Sequence, residues 1–283
     1  MKRFPPVPAR QIMASLMLLL CGGATGATLP VDGERARAAV PRRIVSLNLC
    51  ADQLVLALAD RSQIAGLTHN ATDVEMSAAA RQAQGLPILG GSAEEVLAAD
   101  PDLIVGMSPQ RHPAAAALDP ARYAVVDLTS AETYGVIVAS IRQVARAVGH
   151  PARGEALIAG MDADLARIGR ARPGLVAAYY QRRGYMTGTD TLIDELMQRV
   201  GLTNLASKID KPPLSQMSLE EMVAARPDYL IMESATDQVA DQGTEMLHHP
   251  ALAGIKRISI PQAWTVCGGP AYVKAARALA MAR

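Results

Sequence analysis

Aromatic residues are scarce in this 283-residue chain: 3% of the total, with one Trp and one Phe. A site walled by stacked rings therefore has little to draw on. Neither sign of charge prevails, and the formal net charge of +1 gives no electrostatic reason to expect a nucleic-acid partner. Beyond residue 27 no run approaches 18 apolar residues, which excludes a membrane-spanning helix there by hydropathy. There is no G-x-G-x-x-G opening a helix, no G-x-x-x-x-G-K-[ST] loop and no G-x-S-x-G elbow. Asp52, Asp73 and Asp190 sit beside loops but pair with no evident base, so nothing in the sequence argues for catalysis. What remains is the composition of an ordinary globular protein, half apolar and 19% charged, long enough for two domains.

The first 27 residues have the order of a signal peptide. Lys2, Arg3 and Arg10 form a positive region, Ile12 to Leu20 an apolar run, and the small residues of CGGATGA follow. Ala24-Thr25-Gly26 and Thr25-Gly26-Ala27 both fit a cleavage site. Cys21 suggests a lipid anchor, but Leu20 before it is larger than such sites accept. The expectation is an exported, periplasmic, monomeric protein. Cys50 and Cys267 would remain after cleavage, in an oxidising compartment, with one intramolecular pairing open to them. Three readings stand: a disulfide, two thiols that contact a soft metal, or inert buried thiols.

From Pro41 onward short apolar runs alternate with helical spacing. Arg43–Leu47, Ile64–Leu67, Leu103–Gly106 and Ala124–Val126 read as strands, and Ala51–Ala59 and Glu94–Ala99 as helices. This alternation predicts parallel sheet with helical crossovers. From Thr133 to Arg170 strand signals stop and helical spacing takes over, broken once at Gly149-His150-Pro151. The alternation resumes at Leu175–Tyr180 and continues through Leu192–Val200 and Lys256–Ile260 to a helix from Ala271. The predicted fold is α/β, with two Rossmann-like lobes joined by one long backbone helix and a ligand cleft between them. The lobes fall at about residues 42–147 and 173–283, and the linking helix at about 151–172.

One unit occurs twice. SAEEVLAADPDLIV (92–105) and SLEEMVAARPDYLI (218–231) agree at seven of fourteen positions, 126 residues apart. Ser92 with Glu95, and Ser218 with Glu221, fit the S-x-x-E capping box. Pro101 and Pro227 drive the residue before them out of the helix. That leaves Glu94 and Glu220 without a capping role, each in a first helical turn where the helix dipole favours an acid.

The ordered set RIVSLNLCADQLVLALAD, IAGLTHNATD, GGSAEEVLAADPDLIVG, TGTDTLIDELMQRVGLTNLA, SLEEMVAARPDYLI and WTVCGGP resembles the periplasmic substrate-binding proteins of iron-siderophore and cobalamin ABC importers. The resemblance runs from about Pro41 to the end. It implies a protein that captures a metal chelate and passes it to a permease dimer with its ATPase subunits, with no cofactor of its own. It also implies that Glu94 and Glu220, one per lobe, pair with arginines of the permease. Cleft residues are then expected in loops after strands: Asn48, Cys50, His69, Asn70, Met107 and Arg111 in the first lobe, and Tyr180, Tyr185, Trp264 and Cys267 in the second. Arg111, Arg182 and Arg183 are the cations an anionic iron chelate would meet. The cobalamin branch resembles itself in an aromatic-lined cleft, and the shortage of rings here speaks against that ligand. A rival reading is a zinc- or manganese-ion binder using His69, His112, His248 and His249, although nothing spaces them as a site.

Overall fold

The computed structural model describes residues 40–106, 123–170 and 173–281. The expected signal peptide, Cys21, Met107, Arg111 and His112 lie outside them. Two sheets carry the chain. The first consists of β1 (Ile44–Ser46), β2 (Ile64–Thr68), β3 (Ile88–Leu89), β4 (Leu103–Gly106) and β5 (Ala124–Asp127). It is parallel throughout, in the order β3-β2-β1-β4-β5. The central strands β1 and β4 are buried at every position, as expected of apolar runs covered on both faces. Helices α1 (Leu49–Leu58), α2 (Ala80–Ala83) and α3 (Ala93–Ala98) make the crossovers.

The second sheet is mixed. Its strands are β6 (Val176–Tyr180), β7 (Tyr185–Thr187), β8 (Thr203–Asn204), β9 (Leu214–Gln216), β10 (Tyr229–Glu233) and β11 (Lys256–Ile260), with α6 (Leu192–Arg199), α7 (Leu205–Lys208), α8 (Leu219–Ala225), α9 (Gln242–Glu245) and α10 (Tyr272–Ala280). The order is β11-β10-β6-β7-β9, with β8 also on β6. The β6–β7 and β7–β9 pairs are antiparallel, so β9 runs in the direction of β6. The short strands β7, β8 and β9 carry too few apolar residues to stand out in the sequence.

Both copies of the repeat fold alike. Ser92 and Ser218 are N-caps, and Glu95 and Glu221 close the capping boxes. Asp100 and Arg226, each before its proline, take left-handed backbone with φ of 45°. The aspartate after each proline has a job that spacing alone does not reveal. Asp102 accepts the backbone N–H groups of Arg42 and Arg43 at 2.7 and 2.9 Å, just ahead of β1. Asp228 accepts the N–H of Val176 at 2.7 Å, at the start of β6. Each copy thus pins the neighbouring strand's first residues and fixes sheet register.

Between the sheets lie α4 (Tyr134–Ala147) and α5 (Pro151–Ala166). Gly149 takes φ of +87°, His150 N–H reaches Ala145 C=O at 2.8 Å, and Gly149 N–H reaches Arg146 C=O at 3.2 Å. That glycine-closed end stops α4, and Pro151 opens α5 at a position where its missing N–H costs nothing. Tyr134 OH donates to Asp162 at 2.7 Å and Arg142 pairs with Glu155 at 2.8 Å, so the two helices form an antiparallel hairpin. The linking helix is therefore one arm of a pair, and it ends at Ala166 rather than running on to residue 172. Residues of both sheets and of α4, α5, α6 and α10 share one continuous core. At its edge the Tyr134 and Tyr272 rings stand 5.3 Å apart beneath the Arg199 guanidinium.

The hairpin closes on a glycine. A Cβ at Gly154 would stand 2.5 Å from that of Ala145, whereas one at Gly160, on the same helix, would meet nothing within 4 Å. Gly154→Ala is expected to lower stability by about 1–3 kcal/mol through overpacking. Gly160→Ala is expected to raise it by up to about 1 kcal/mol through helix propensity. Urea denaturation of the two variants checks the opposite signs.

Candidate functional site

The carboxyl ends of both sheets open onto one cavity of about 660 Å³, a size suited to a small molecule. Parallel α/β sheets place ligands at this edge because the loops there lie beyond the strands. The wall from the first sheet includes Leu47, Asn48, Cys50, His69, Asn70, Met76 and Leu89, with residues 128–132. The wall from the second half consists of Leu192 and residues 265–268. A hollow of about 430 Å³ between α5 and α10 shares no residue with this cavity and is lined by the Arg277–Asp164 pair.

Four of the expected first-lobe residues converge there. Asn48 is the N-cap of α1, its side-chain oxygen accepting from Ala51 N–H at 2.9 Å. Cys50 belongs to the first turn of α1 rather than to a loop. His69 and Asn70 begin the turn after β2. Beneath them Asp52 is fully buried and accepts both the N–H and the hydroxyl of Thr68, tying α1 to the end of β2. Burial pushes the Asp52 carboxyl above the usual carboxylate range, against the hydrogen bonds from Thr68 and Ser46 that pull it down.

Cys267 also lines the cavity and is joined to Cys50 by a disulfide, with Cα atoms 5.3 Å apart. Of the three readings of this pair, the structure takes the disulfide. It links residues 217 apart; by the chain-entropy account, closing so long a loop contributes about 5 kcal/mol. A second tie crosses beside it. The Glu132 carboxylate accepts Leu192 N–H at 3.0 Å and the Ser130 hydroxyl. A Cβ on Gly268 would stand 2.5 Å from Ala131, so the two walls touch closely here.

The aromatic candidates stand elsewhere. Tyr180 is fully buried in the second sheet's own core, its hydroxyl donating to Met217 C=O at 2.9 Å. It is the last residue of β6 and packs in an apolar cluster of the second half, outside the cavity lining. Tyr185 is exposed at the start of β7 and does not reach the wall. Trp264 closes a short 3-10 turn and packs against the shared core, one residue short of the lining. Arg182 pairs with Asp241 outside the cavity. His248 bonds Thr236 C=O at 2.7 Å and His249 caps a turn, so neither joins His69. Among the described residues no group of three His, Cys, Asp or Glu side chains could hold a metal ion.

Sequence reasoning missed Met76, Leu89, Glu132 and Leu192, which belong to segments with no distinctive spacing. It also missed a buried acid behind the second wall. Glu233, at the carboxyl end of β10, accepts from Tyr179 OH at 3.2 Å and Gln181 side-chain N–H at 2.9 Å. Burial raises the Tyr179 hydroxyl pKa, and the Glu233 charge adds to that. The described cavity wall holds Glu132 and His69, and no lysine, arginine, phenylalanine, tyrosine or tryptophan.

The profile of the family described as periplasmic binding protein matches residues 44–258. The chain belongs to that family. Among curated relatives, the cobalamin-binding protein of Halobacterium salinarum is 25% identical over 222 residues, covering 76% of this chain. The chain spans only 58% of that relative's length. The vitamin B12-binding protein of Pectobacterium carotovorum is 25% identical over 248 residues, covering 84% of this chain and 87% of the relative. Among solved structures, the periplasmic heme-binding protein HutB of Vibrio cholerae superposes with a TM-score of 0.70 at 19% identity, covering 84% of this chain and 97% of that one. These structures share the two-lobed fold. The family is of the periplasmic binding type that the motifs of the chain resemble, and among the described residues no helix is long and apolar enough to cross a membrane.

Asp52 gives a pH test of this architecture. Its folded pKa stands above the unfolded value of 3.8, so folding favours the protonated form. The contribution to stability is full below pH 3.8 and is lost as pH rises through the folded value. Asp52→Asn keeps an oxygen for Thr68 and removes the titration. The melting temperature of the variant minus that of the wild type should therefore grow as pH rises from below 3.8 towards neutrality; a constant difference contradicts the assignment.

Proposed function

We propose that this protein captures a metal chelate of the cobalamin type in the cavity between its sheets and delivers it to an ABC permease. The observation that carries the ligand class is the character of the wall. Leu47, Leu54, Met76, Leu89, Leu128 and Val266 give it broad aliphatic faces, with Asn48, Asn70 and Thr265 among them. Its titratable groups in the described lining besides the disulfide are the Glu132 carboxylate and His69, and nearby Glu233 accepts from Tyr179 and Gln181. Such a wall suits a flat apolar macrocycle fringed with neutral amides, which donate hydrogen bonds. Among the described residues it offers no lysine or arginine to the carboxylates of a porphyrin or to an anionic ferric chelate. The names of the two curated relatives agree with this reading. Aliphatic packing takes the place of the aromatic lining whose absence had argued against it.

The same edge carries the docking acids. α3 begins just past the end of β3, where Gly90 and Gly91 line the cavity. α8 begins just past β9, at the equivalent edge of the other sheet. Glu94 and Glu220 are exposed there, and neither makes an ion pair among the described residues. One acid on each half suits a permease built with two-fold symmetry.

Absorbance titration with cyanocobalamin, hemin and a ferric catecholate tests the ligand class. Retention of cyanocobalamin with weak or no retention of the two anionic chelates is expected; the reverse order defeats the reading. Stoichiometric zinc binding that is lost in His69→Ala would favour a direct ion binder instead.

For docking, Glu94→Ala with Glu220→Ala should weaken permease affinity on the order of a hundredfold while leaving ligand affinity unchanged. Glu95→Gln with Glu221→Gln is the control. Backbone N–H groups at Gly90 and Ser218 hold these two carboxyls below the usual range, so their contribution is present above pH 4.5 and is lost as pH falls through the folded values. That pair should lower neutral-pH stability and spare docking. Reconstituted uptake and thermal melts distinguish the two.

A further inference from the structure

We infer that the Cys50–Cys267 disulfide is a reducible tether that sets the width of the ligand cavity. Each half-cystine stands on a different wall: Cys50 in the first turn of α1, Cys267 in the loop after β11. Both line the cavity. Other ties between the walls seen among the described residues are non-covalent: an exposed carboxylate on the Leu192 N–H and the close approach of Gly268 to Ala131 and Ile137. The walls also share the apolar core built on the α4–α5 hairpin, and α4 reaches the cavity at Ser140 and stands beside Gly268 at Ile137. The disulfide is thus the covalent tie between walls that packing and hydrogen bonds otherwise hold. While the bond is intact, the walls cannot part by more than its neighbours flex. Once it is cut, only packing and hydrogen bonds hold the walls, and they are free to separate further.

Cys50 is the more accessible of the pair, because Cys267 is only 4% exposed. A dithiol reductant enters from the cavity. Its thiolate attacks Cys50 Sγ, the disulfide breaks, and Cys267 leaves as a thiolate that takes a proton. The reductant's second thiol then resolves the mixed disulfide, leaving two cysteine thiols and an oxidised dithiol. A bound molecule would cover Cys50, so occupancy and reduction would oppose each other; this consequence rests on the cavity being the ligand site.

The test needs no ligand, so a failed cobalamin titration does not affect it. Thioether-linked spin labels are placed at Ala98→Cys in α3 and Ala224→Cys in α8, both exposed positions. Distance distributions are then recorded for the oxidised protein, for the same protein after dithiothreitol, and for the labelled Cys50→Ser, Cys267→Ser variant. The oxidised form should give one narrow distribution. Reduction and the serine variant should both broaden it by about half or more and add longer distances. Should the serine variant fail to fold, reduction of the folded, labelled protein decides alone. Unchanged distributions with both thiols alkylatable would overturn the inference. So would loss of the far-UV spectrum on reduction, since the bridge would then serve stability and not aperture.

Discussion

Two sheets can share a ligand only if their carboxyl ends are held facing one another, and in this protein a covalent bond does so. The Cys50–Cys267 bridge joins the first helix of one half to the last loop of the other. The cavity exists because that bond, the Glu132–Leu192 contact and the close approach of Gly268 to Ala131 draw the walls together. The α4–α5 hairpin gives both halves a common apolar core that reaches the cavity at Ser140. Covalent and packing ties thus hold the two walls of the cavity together. A protein fastened in this way meets its ligand with a largely preformed site, so little of the binding energy is spent on closure.

The electrostatics of that space follow from which residues the loops leave behind. Cations stand outside the described wall: Arg182 is engaged by Asp241, and Arg199 by Tyr272 and Glu195. Acids stand in or just behind it, as Glu132, Glu233 and the buried Asp52. An apolar surface with acceptor groups selects by charge as well as by shape. Glu94 and Glu220 are exposed on the rim outside the cavity lining, so under the proposed function capture and delivery rest on different residues.

Much of this was legible from sequence where local physics dominates. The strands Leu103–Gly106 and Lys256–Ile260 stand where apolar runs between turn signals place them. Both capping boxes follow from Ser and Glu at the required spacing. Asn48, Cys50, His69, Asn70 and Cys267 reach the cavity because loops and first helical turns after strands must face that edge. The failures share one cause. Tyr180, Tyr185 and Trp264 were assigned by position along the chain, but which face a strand-end side chain takes depends on the sheet's pairing. The antiparallel β6–β7 hairpin, unmarked by strong periodicity, turns Tyr180 into its own core. Glu132 and Glu233 were invisible for a related reason, since their partners lie 60 and 52 residues away in sequence. The pairing of Cys50 with Cys267 was open on composition and became determinate only with the two walls in place.

The central claim is that one preformed cavity, bridged by a disulfide, holds a neutral macrocyclic metal chelate. Native mass spectrometry of the protein isolated from its own compartment, without added ligand or reductant, tests this directly. The account predicts a one-to-one complex whose extra mass is that of a cobalt corrin, on a chain whose two cysteines resist alkylation until reduced. A bare zinc or manganese ion, an anionic iron chelate, or two freely alkylated thiols in the loaded protein would contradict it.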